Sequence, residues 1–398
     1  MNILLVSQRF WPENFRINIV INQLKKRNNI YVLTEKPNYP NKNIPKKYKK
    51  KFFYNENKNK LEILRVPTIS RGNNNFQLFI NYLNFICWSF IAIFKFRKKK
   101  IELVFVYATS PIFQAISAIF FSKFYKIPSV LWVQDLWPDV LKDLKIINNK
   151  YLIFLINYFV NLIYKNFDHI IVQSNSYKKI INKNVKNKSI KVFFNPENSN
   201  FKNKIKLKKS KIFQITYAGN IGKAQSVECL VKAVNKIKKE KFIINIFGNG
   251  SEKNKLLFFI KKYKLQNKIK YFKPLKFNIL KKYLHDSDAF ILFLKKGSAL
   301  SNTLPAKIQT YLSFGKPIIV SSDGEAKNFV KKNKIGFYSN AENSSALSKQ
   351  IIRCVNINYK KRNQIFNNSK ITFFNDIELN NWTKKLTIYF KLISRNNI

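Results

Sequence analysis

The stretch FQITYAGNIGKAQSVECLVKAVNKIKK, residues 213–239, shows most clearly how this chain folds. An apolar run leads into a loop with two glycines, and apolar residues at helical spacing follow the loop. The stretch FIINIFGNGSEKNKLLFFIKKY, residues 242–263, repeats this order of strand, loop and helix. Such units build a parallel sheet covered by helices, so the sequence predicts a doubly wound α/β fold.

The same rhythm extends in both directions along the chain. We predict a first Rossmann-like domain over residues 1–195, a linker over 196–210 and a second Rossmann-like domain over 211–370. A helical tail, 371–398, is expected to pack back on the first domain. Two such domains would face each other across a cleft, with ligands outside the carboxyl ends of the strands. The predicted strands are 3–6, 30–33, 61–66, 103–107, 129–133, 169–172 and 191–194, then 213–218, 242–247, 269–272, 289–294, 317–320 and 336–338.

The composition is strongly basic. The chain has 398 residues, 46% of them hydrophobic, and its 74 Lys and Arg against 20 Asp and Glu give a net charge of +54. Abundant Lys, Asn, Ile and Phe are typical of an AT-rich genome, so one interpretation of this charge is compositional drift on solvated faces. The functional interpretation is attraction to nucleic acid, anionic lipid or phosphorylated substrates.

Few residues are available for metal or disulfide chemistry. The three cysteines, Cys87, Cys229 and Cys354, are widely spaced, and the histidines are His169 and His285. This pattern provides no disulfide framework or CxxC zinc site and favours a reducing compartment. The N-terminus lacks a secretory signal pattern, so a cytoplasmic protein is expected.

An uncharged stretch, residues 76–94, raises the question of a membrane. Three interpretations stay open: a core helix, a helix lying on the membrane surface with the basic residues 95–100 at the headgroups, and a true span. A second apolar stretch, 103–122, contains Ser110-Pro111 and is predicted to be a strand, a turn and a helix.

Three loops of the second domain carry candidate chemistry. Glycines let a backbone approach a ligand, and amides at a helix N-terminus favour a diphosphate. For the two glycine loops, an ordinary tight turn is the alternative. The third loop adds lysines and small residues ahead of a helix. The loops contain Gly219, Asn220, Gly222 and Lys223; then Gly248, Asn249 and Gly250; and then Lys296, Ser301, Lys307 and Gln309.

These segments together resemble a known family. YAGNIGKAQ, GNG and LPAKIQTYLSFGKPII…DGE are similar to the donor domain of glycosyltransferase family 4, and SQRFWPEN and WVQDLWPD are typical of the branch that includes the fucosamine transferases of O-antigen and capsule synthesis. The resemblance covers nearly the whole chain in order. It implies the GT-B architecture, a nucleotide-sugar donor in the second domain, an acceptor in the first, no metal cofactor and a retaining reaction.

The chain departs from the family at several positions. Asn220 and Gln225 stand where the family commonly has Arg and Lys, and Ser301 and Gln309 stand where it often has two glutamates. We therefore assign the cationic role toward the leaving diphosphate to Lys223, Lys296 and Lys307. Gln309 keeps the capacity to hydrogen-bond ribose hydroxyls.

The first domain offers three candidate acceptor-side residues. Asp135 follows the strand SVLWV and is the candidate that orients or deprotonates an acceptor hydroxyl, although a helix cap is the alternative role. Glu13 and Asn14, in the loop after the first strand, are assigned to acceptor binding, and a purely structural Pro-Glu turn is the alternative.

The sequence predicts a transferase that moves a sugar from a UDP- or GDP-type donor to a polyprenyl-diphosphate-linked or polysaccharide acceptor, at the cytoplasmic membrane face. Two alternatives stay open. A nucleotide-sugar epimerase or hydrolase would keep the fold and change the reaction. A nucleic-acid-binding protein would need a clustered basic stripe, whereas the lysines here are spread along the chain.

Overall fold

The computed structural model describes residues 1–40, 42–143, 147, 149–201, 212–297 and 299–395. The chain forms two compact units. The first consists of Met1–Phe194 and Leu379–Ile398, and the second of Asn195–Glu378. Most of the predicted linker lies outside the described residues. Its described beginning belongs to the second unit, where Asn200 donates a hydrogen bond to Ser313 Oγ at 3.0 Å.

The first unit is built on a sheet in the order β3-β4-β2-β1-β5-β6-β7-β8. All neighbouring strands are parallel except β3 and β4, which are antiparallel. The predicted runs were found as strands because each is a short, buried, β-branched segment. The strands are β1 Asn2–Val6, β2 Asn29–Glu35, β3 Tyr54–Lys58, β4 Leu61–Val66, β5 Leu103–Ala108, β6 Ser129–Val133, β7 His169–Val172 and β8 Ser189–Val192.

Helices cover both faces of this sheet. Successive side chains of β1 point to opposite sides, so Leu4 and Val6 pack with one helical layer, and Ile3 and Leu5 with the other. The first layer contains α3, α4, α6 and α7, and the second contains α1 and α15. The helices of this unit are α1 Arg16–Leu24, α2 Lys46–Lys49, α3 Asn75–Ile93, α4 Ile116–Phe124, α5 Asp139–Asp143, α6 Lys150–Asn166, α7 Asn175–Asn184 and α15 Leu379–Arg395.

The second unit has a parallel sheet in the order β11-β10-β9-β12-β13-β14. This is the doubly wound order, in which the direction of winding reverses between β9 and β12. Its strands are β9 Phe213–Ala218, β10 Phe242–Phe247, β11 Ile269–Phe272, β12 Ala289–Phe293, β13 Ile318–Ser321 and β14 Gly336–Ser339. Its helices are α8 Val227–Asn235, α9 Lys253–Lys262, α10 Phe277–Asp286, α11 Ala306–Leu312, α12 Glu325–Asn333, α13 Ser344–Val355 and α14 Tyr359–Asp376.

The stretch 76–94 forms most of α3. Residues Asn75–Lys99 are long and apolar enough to cross a membrane by length and composition. Yet Phe85, Ala92 and Ile93 of α3 are buried in the core of the first unit. Asn81 is fully buried and donates to the Ile69 carbonyl at 2.7 Å. The α3 helix is therefore half-buried and packs against one face of the sheet. Residues 103–122 form β5, a turn and α4, as predicted.

The C-terminal segment divides between the units. Residues 371–376 complete α14 in the second unit, and α15 contributes to the first. Trp382, Leu386 and Phe390 of α15 are buried. The Trp382 ring lies 5.1 Å from that of Trp132 on β6, and the Phe390 ring 5.1 Å from that of Phe105 on β5. The helix closes one face of the first sheet.

Replacing Trp382 with Ala should lower the free energy of unfolding by about 3–5 kcal/mol, because a large buried ring leaves a cavity over β6. Ile388→Ala on the same helix is the matched control, since Ile388 is 60% exposed. Urea denaturation of both variants measures the difference. Equal denaturation midpoints for the two variants would contradict the packing of α15.

Candidate functional site

The carboxyl ends of β9 and β12 define the candidate site of the second unit. These strands are neighbours, and the winding of the sheet reverses between them. The loops that follow them therefore turn to opposite faces and leave a crevice. Gly219 and Gly222 follow β9, and Lys296 follows β12.

The two glycine loops are locked together. A Cβ on Gly248 would collide with the carbonyl oxygen of Gly219. The Gly219 amide donates to Phe247 O at 2.9 Å, and the Ile221 amide to Asn249 O at 2.8 Å. The side chains of Asn220 and Asn249 remain exposed at the rim. Gly248 is thus required for close packing of the loops.

This arrangement corrects one sequence-based expectation. The amides of Gly219, Ile221 and Gly222 are already bonded within the unit, Gly222 to Gln225 Oε1 at 2.7 Å. They are therefore not the donors for a diphosphate. The loop also does not open a helix directly, because α8 begins only at Val227. The loop shapes the crevice, and side chains must supply most of its positive charge.

Lys307 supplies that charge at the start of α11. Its Nζ lies 3.2 Å from the position that a Cβ of Gly219 would take, and 5.1 Å from the centre of the Tyr217 ring. Within the described residues, no carboxylate pairs with it. Burial lowers the pKa of the Lys307 ammonium to about 8. A half-buried cation without a counter-ion favours an anionic ligand.

Two tyrosines that the sequence analysis missed hold this arrangement. Tyr217 donates from its hydroxyl to Asn220 O at 2.6 Å, which fixes the glycine loop over its ring. The Tyr311 hydroxyl accepts from the Ala218 amide at 2.9 Å and ties α11 to the end of β9. Both lie within apolar periodic patterns, so the sequence alone marks them as core residues.

The other candidate cations lie more openly. Lys223 and Lys296 are exposed. The Lys296 amide donates to Glu342 Oε2 at 3.1 Å, so Glu342 anchors the loop after β12. Ser301 packs against Gly324, where a Cβ would collide with the Ser301 carbonyl. The roles of Lys296 and Ser301 in donor binding stay predictions.

The structure corrects the assignment of Gln309. This residue is fully buried in α11, and its Nε2 donates to Leu304 O at 3.4 Å. Its Oε1 is buried without a partner within the described residues. Because the whole Gln309 side chain is buried, it is not exposed to hydrogen-bond a ribose.

Asp135 lies at the carboxyl end of β6 in the first unit. Its Oδ2 accepts from the Ser110 amide at 2.9 Å and from Ser110 Oγ at 2.8 Å. Burial raises the pKa of this carboxyl above its usual range despite those bonds. A carboxylate with a raised pKa is a stronger base, as a general base requires.

A second aspartate provides a comparison. Asp168 accepts from the Ser129 amide at 2.9 Å and from Ser129 Oγ at 2.7 Å, at the opposite end of the strands. The pKa of Asp168 is lowered, because its burial is smaller than that of Asp135 and is outweighed by the two Ser129 bonds together with Lys123 Nζ, 3.3 Å away. The local bonds are alike, and the environment decides the basicity.

Glu13 has a different role from the one expected. It is buried, and its Oε1 accepts from the amides of Asn38 and Tyr39, both at 2.7 Å. Arg9 lies 3.6 Å from the same oxygen and also pairs with buried Glu35. Glu13 thus ties two loops together and is not positioned to contact an acceptor. Asn14 is exposed beside it.

A metal cluster is not seen within the described ranges. No group of three or more His, Cys, Asp and Glu side chains is arranged there to hold an ion.

Comparison with known proteins agrees with this geometry. A glycosyltransferase from Rickettsia africae ESF-5 superposes with a TM-score of 0.70 over 99% of both chains at 18% identity. Anabaena Alr3699/HepE, crystallised with UDP and glucose, superposes with a TM-score of 0.65 at 12% identity, over 98% of this chain and 99% of that one. These likenesses show the fold, which is GT-B, the glycosyltransferase fold of two Rossmann-like units.

A sequence similarity to a known family lies in the second unit. Residues 198–372 match the family Glycosyl transferases group 1. This match covers most of the second unit, whose sequence is similar to that of a group 1 glycosyltransferase domain. A putative colanic acid biosynthesis glycosyl transferase, WcaI of Escherichia coli (strain K12), is 28% identical over 109 residues. That alignment spans 27% of this chain and 26% of the relative's length.

Replacing Lys307 with Met should raise the free energy of unfolding of the ligand-free protein at pH 7 by about 1–3 kcal/mol, allowing for its partial exposure. The Lys307 pKa is about 8 in the folded state against 10.5 when unperturbed. The destabilisation caused by burying the Lys307 charge is therefore fully present below pH 8 and disappears as the pH rises toward 10.5.

Urea denaturation at pH 7 and pH 10 measures this effect. The variant should exceed the wild type at pH 7, and the difference should shrink at pH 10. Lys349→Met, at an exposed position on α13, is the matched control. An equal difference in free energy of unfolding between variant and wild type at both pH values would show that the Lys307 charge does not destabilise the fold.

Proposed function

We propose that the chain transfers a sugar from a nucleotide-sugar of the UDP or GDP type to a glycan acceptor without a metal cofactor. The observation that carries the proposal is Lys307, an ammonium half-buried beside the backbone of Gly219 with no carboxylate partner in the described chain. A diphosphate in the crevice would supply the missing negative charge.

The donor reaction breaks the bond between the anomeric carbon and the phosphate oxygen. The bonding electrons leave with the nucleoside diphosphate, so negative charge grows on its oxygens. Lys307 is placed to neutralise this charge, and the exposed Lys223 and Lys296 extend the positive field at the rim. The relative crystallised with UDP and glucose supports a donor of this chemical class.

The acceptor reaction forms a new bond from a hydroxyl oxygen to the anomeric carbon. In the proposed scheme, Asp135 orients that hydroxyl and receives its proton. Its raised pKa and its position at a strand's carboxyl end support this role. By resemblance, we propose retention of the anomeric configuration.

We further propose that the acceptor is a polyprenyl-diphosphate-linked or growing polysaccharide chain, as in O-antigen or capsule synthesis. Two features support this: the partial similarity to WcaI, named for colanic acid biosynthesis, and the motifs typical of the fucosamine-transferase branch. Such an acceptor is presented at the inner face of the cytoplasmic membrane, where we place the protein peripherally.

UDP or GDP should stabilise the protein against heat in buffer containing EDTA, because lysines replace the metal. Lys307→Met should weaken this binding about 10–100-fold, the effect of ~1.5–3 kcal/mol for a charge-assisted contact. Calorimetric titration measures the dissociation constants, and Lys349→Met should bind like the wild type. Binding that appears only with added Mg²⁺, or that survives intact in Lys307→Met, would contradict the proposal.

Asp135→Asn should lower kcat about 10²–10⁴-fold with an acceptor present, because the amide cannot accept the proton. The dissociation constant for UDP should stay unchanged. Asp168→Asn is the matched control, since it removes a carboxylate with the same serine bonds at the other end of the strands. Equal kcat for the two variants would remove Asp135 from the mechanism, and release of free sugar without acceptor would indicate a hydrolase.

A further inference from the structure

One helical layer of the first unit carries an apolar outer face. Large apolar side chains on α3, α4 and α6 are exposed, several of them by more than half of their surface. We call this set the outer apolar face. It consists of Phe76, Phe79, Leu83 and Ile91 on α3, Phe120 and Phe124 on α4, and Tyr151, Leu152, Phe154, Leu155, Tyr158 and Phe159 on α6.

These helices lie side by side on the same side of the sheet. The inner residues Phe85 of α3, Phe121 of α4 and Val160 of α6 belong to one buried cluster. Aromatic contacts link the helices near the surface: the rings of Phe90 and Phe120 are 5.1 Å apart. The outer residues of α3 and α4 therefore adjoin one another, and α6 adds its exposed residues to the same helical layer.

Such a surface is unusual for a helix that covers a sheet. A covering helix usually buries one apolar stripe and presents polar residues to water. In α6, the residues at 151, 154, 155 and 158 lie on one helical stripe, and that stripe is exposed and apolar. Large exposed apolar patches mark interaction sites.

The charges around the outer apolar face indicate what binds there. The sequences of α3, α4 and α6 contain no Asp or Glu. Exposed basic residues stand at the helix ends, with Lys95, Arg97, Lys98 and Lys100 after α3, and Lys150 at the start of α6. Aromatic and aliphatic residues flanked by lysines match the interface of an anionic bilayer, with apolar chains beneath phosphate headgroups.

We propose that the outer apolar face docks the protein on the surface of an anionic lipid bilayer. This proposal rests on the proposed function, because it brings a lipid-linked acceptor to the enzyme, and it names the three-helix layer as the contact. The helices lie in the headgroup region and do not cross the membrane. A span through α3 would break the buried hydrogen bond from Asn81 to Ile69 O.

A second copy of the chain fits this face less well. A symmetric dimer would bring the same patch of both copies together, so the basic residues at the helix ends would face one another. With no carboxylates on these helices, nothing there would balance them. A bilayer containing anionic lipid supplies the opposite charge.

Vesicle co-sedimentation tests the proposal. The full chain should bind vesicles of phosphatidylglycerol and phosphatidylcholine, and should bind pure phosphatidylcholine vesicles at least about tenfold more weakly. Raising the salt from 0.1 M to 0.5 M should weaken the binding to anionic vesicles. Equal binding to both vesicle types would overturn the anionic part of the proposal.

Two double variants test the face itself. Phe120→Ser/Phe124→Ser and Phe154→Ser/Tyr158→Ser should each reduce vesicle binding about tenfold or more, because each removes two side chains from the bilayer interface. Phe258→Ser/Ile279→Ser is the matched control, since both positions are exposed in the second unit. All variants should keep their melting temperature and their UDP binding.

The outcomes separate the two proposals. Variants that bind vesicles like the wild type would overturn the docking face, whatever the result with UDP. A wild-type dimer in solution that becomes a monomer in the face variants would identify a self-interface instead. Loss of UDP binding in Lys307→Met, together with intact vesicle binding, separates the donor site from the membrane contact.

Discussion

The ammonium of Lys307, lying against the backbone of Gly219 and over the ring of Tyr217, is the interaction on which the candidate site depends. Glycine is required at position 219 for two reasons. A Cβ there would collide with the Lys307 side chain, and the backbone φ of +138° is one that other residues rarely adopt. At ~4 Å and an effective dielectric constant of ~20, one opposite charge would stabilise the lysine by ~4 kcal/mol. No carboxylate within the described residues of the unit supplies that charge, so the site favours an anionic ligand.

The sequence predicted most of the fold because buried parallel strands are short apolar runs. It missed β3, since Tyr54–Lys58 is a polar strand at the sheet's edge with one buried residue. The predicted end of the second domain, residue 370, falls within α14, because no change in composition marks the boundary between α14 and α15. The return of α15 to the first sheet depends on long-range packing of Trp382 and Phe390.

The candidate site was predictable in its location but not in its bonds. Position follows from topology, because the loops after β9 and β12 must meet at the reversal of winding. Bonds do not follow, because an amide such as that of Gly222 has several possible acceptors, and only the folded loop selects Gln225 Oε1. Gln309 and Glu13 also show that the sequence does not predict the contacts of a single side chain. Glutamine and glutamate side chains both suit ligand binding, but the fold buries both of these residues.

Charge acts in this molecule through its context and not through its sum. Asp135 and Asp168 accept the same pair of serine bonds, yet burial raises the pKa of one, and Lys123 helps to lower that of the other. The same reasoning applies to the net charge of +54. Most lysines lie on solvated faces, where water and salt screen them. Those at the ends of α3 and α6 stand beside exposed aromatic residues, and these two helices contain no acids, so the apolar and electrostatic attractions to a lipid surface add on that face.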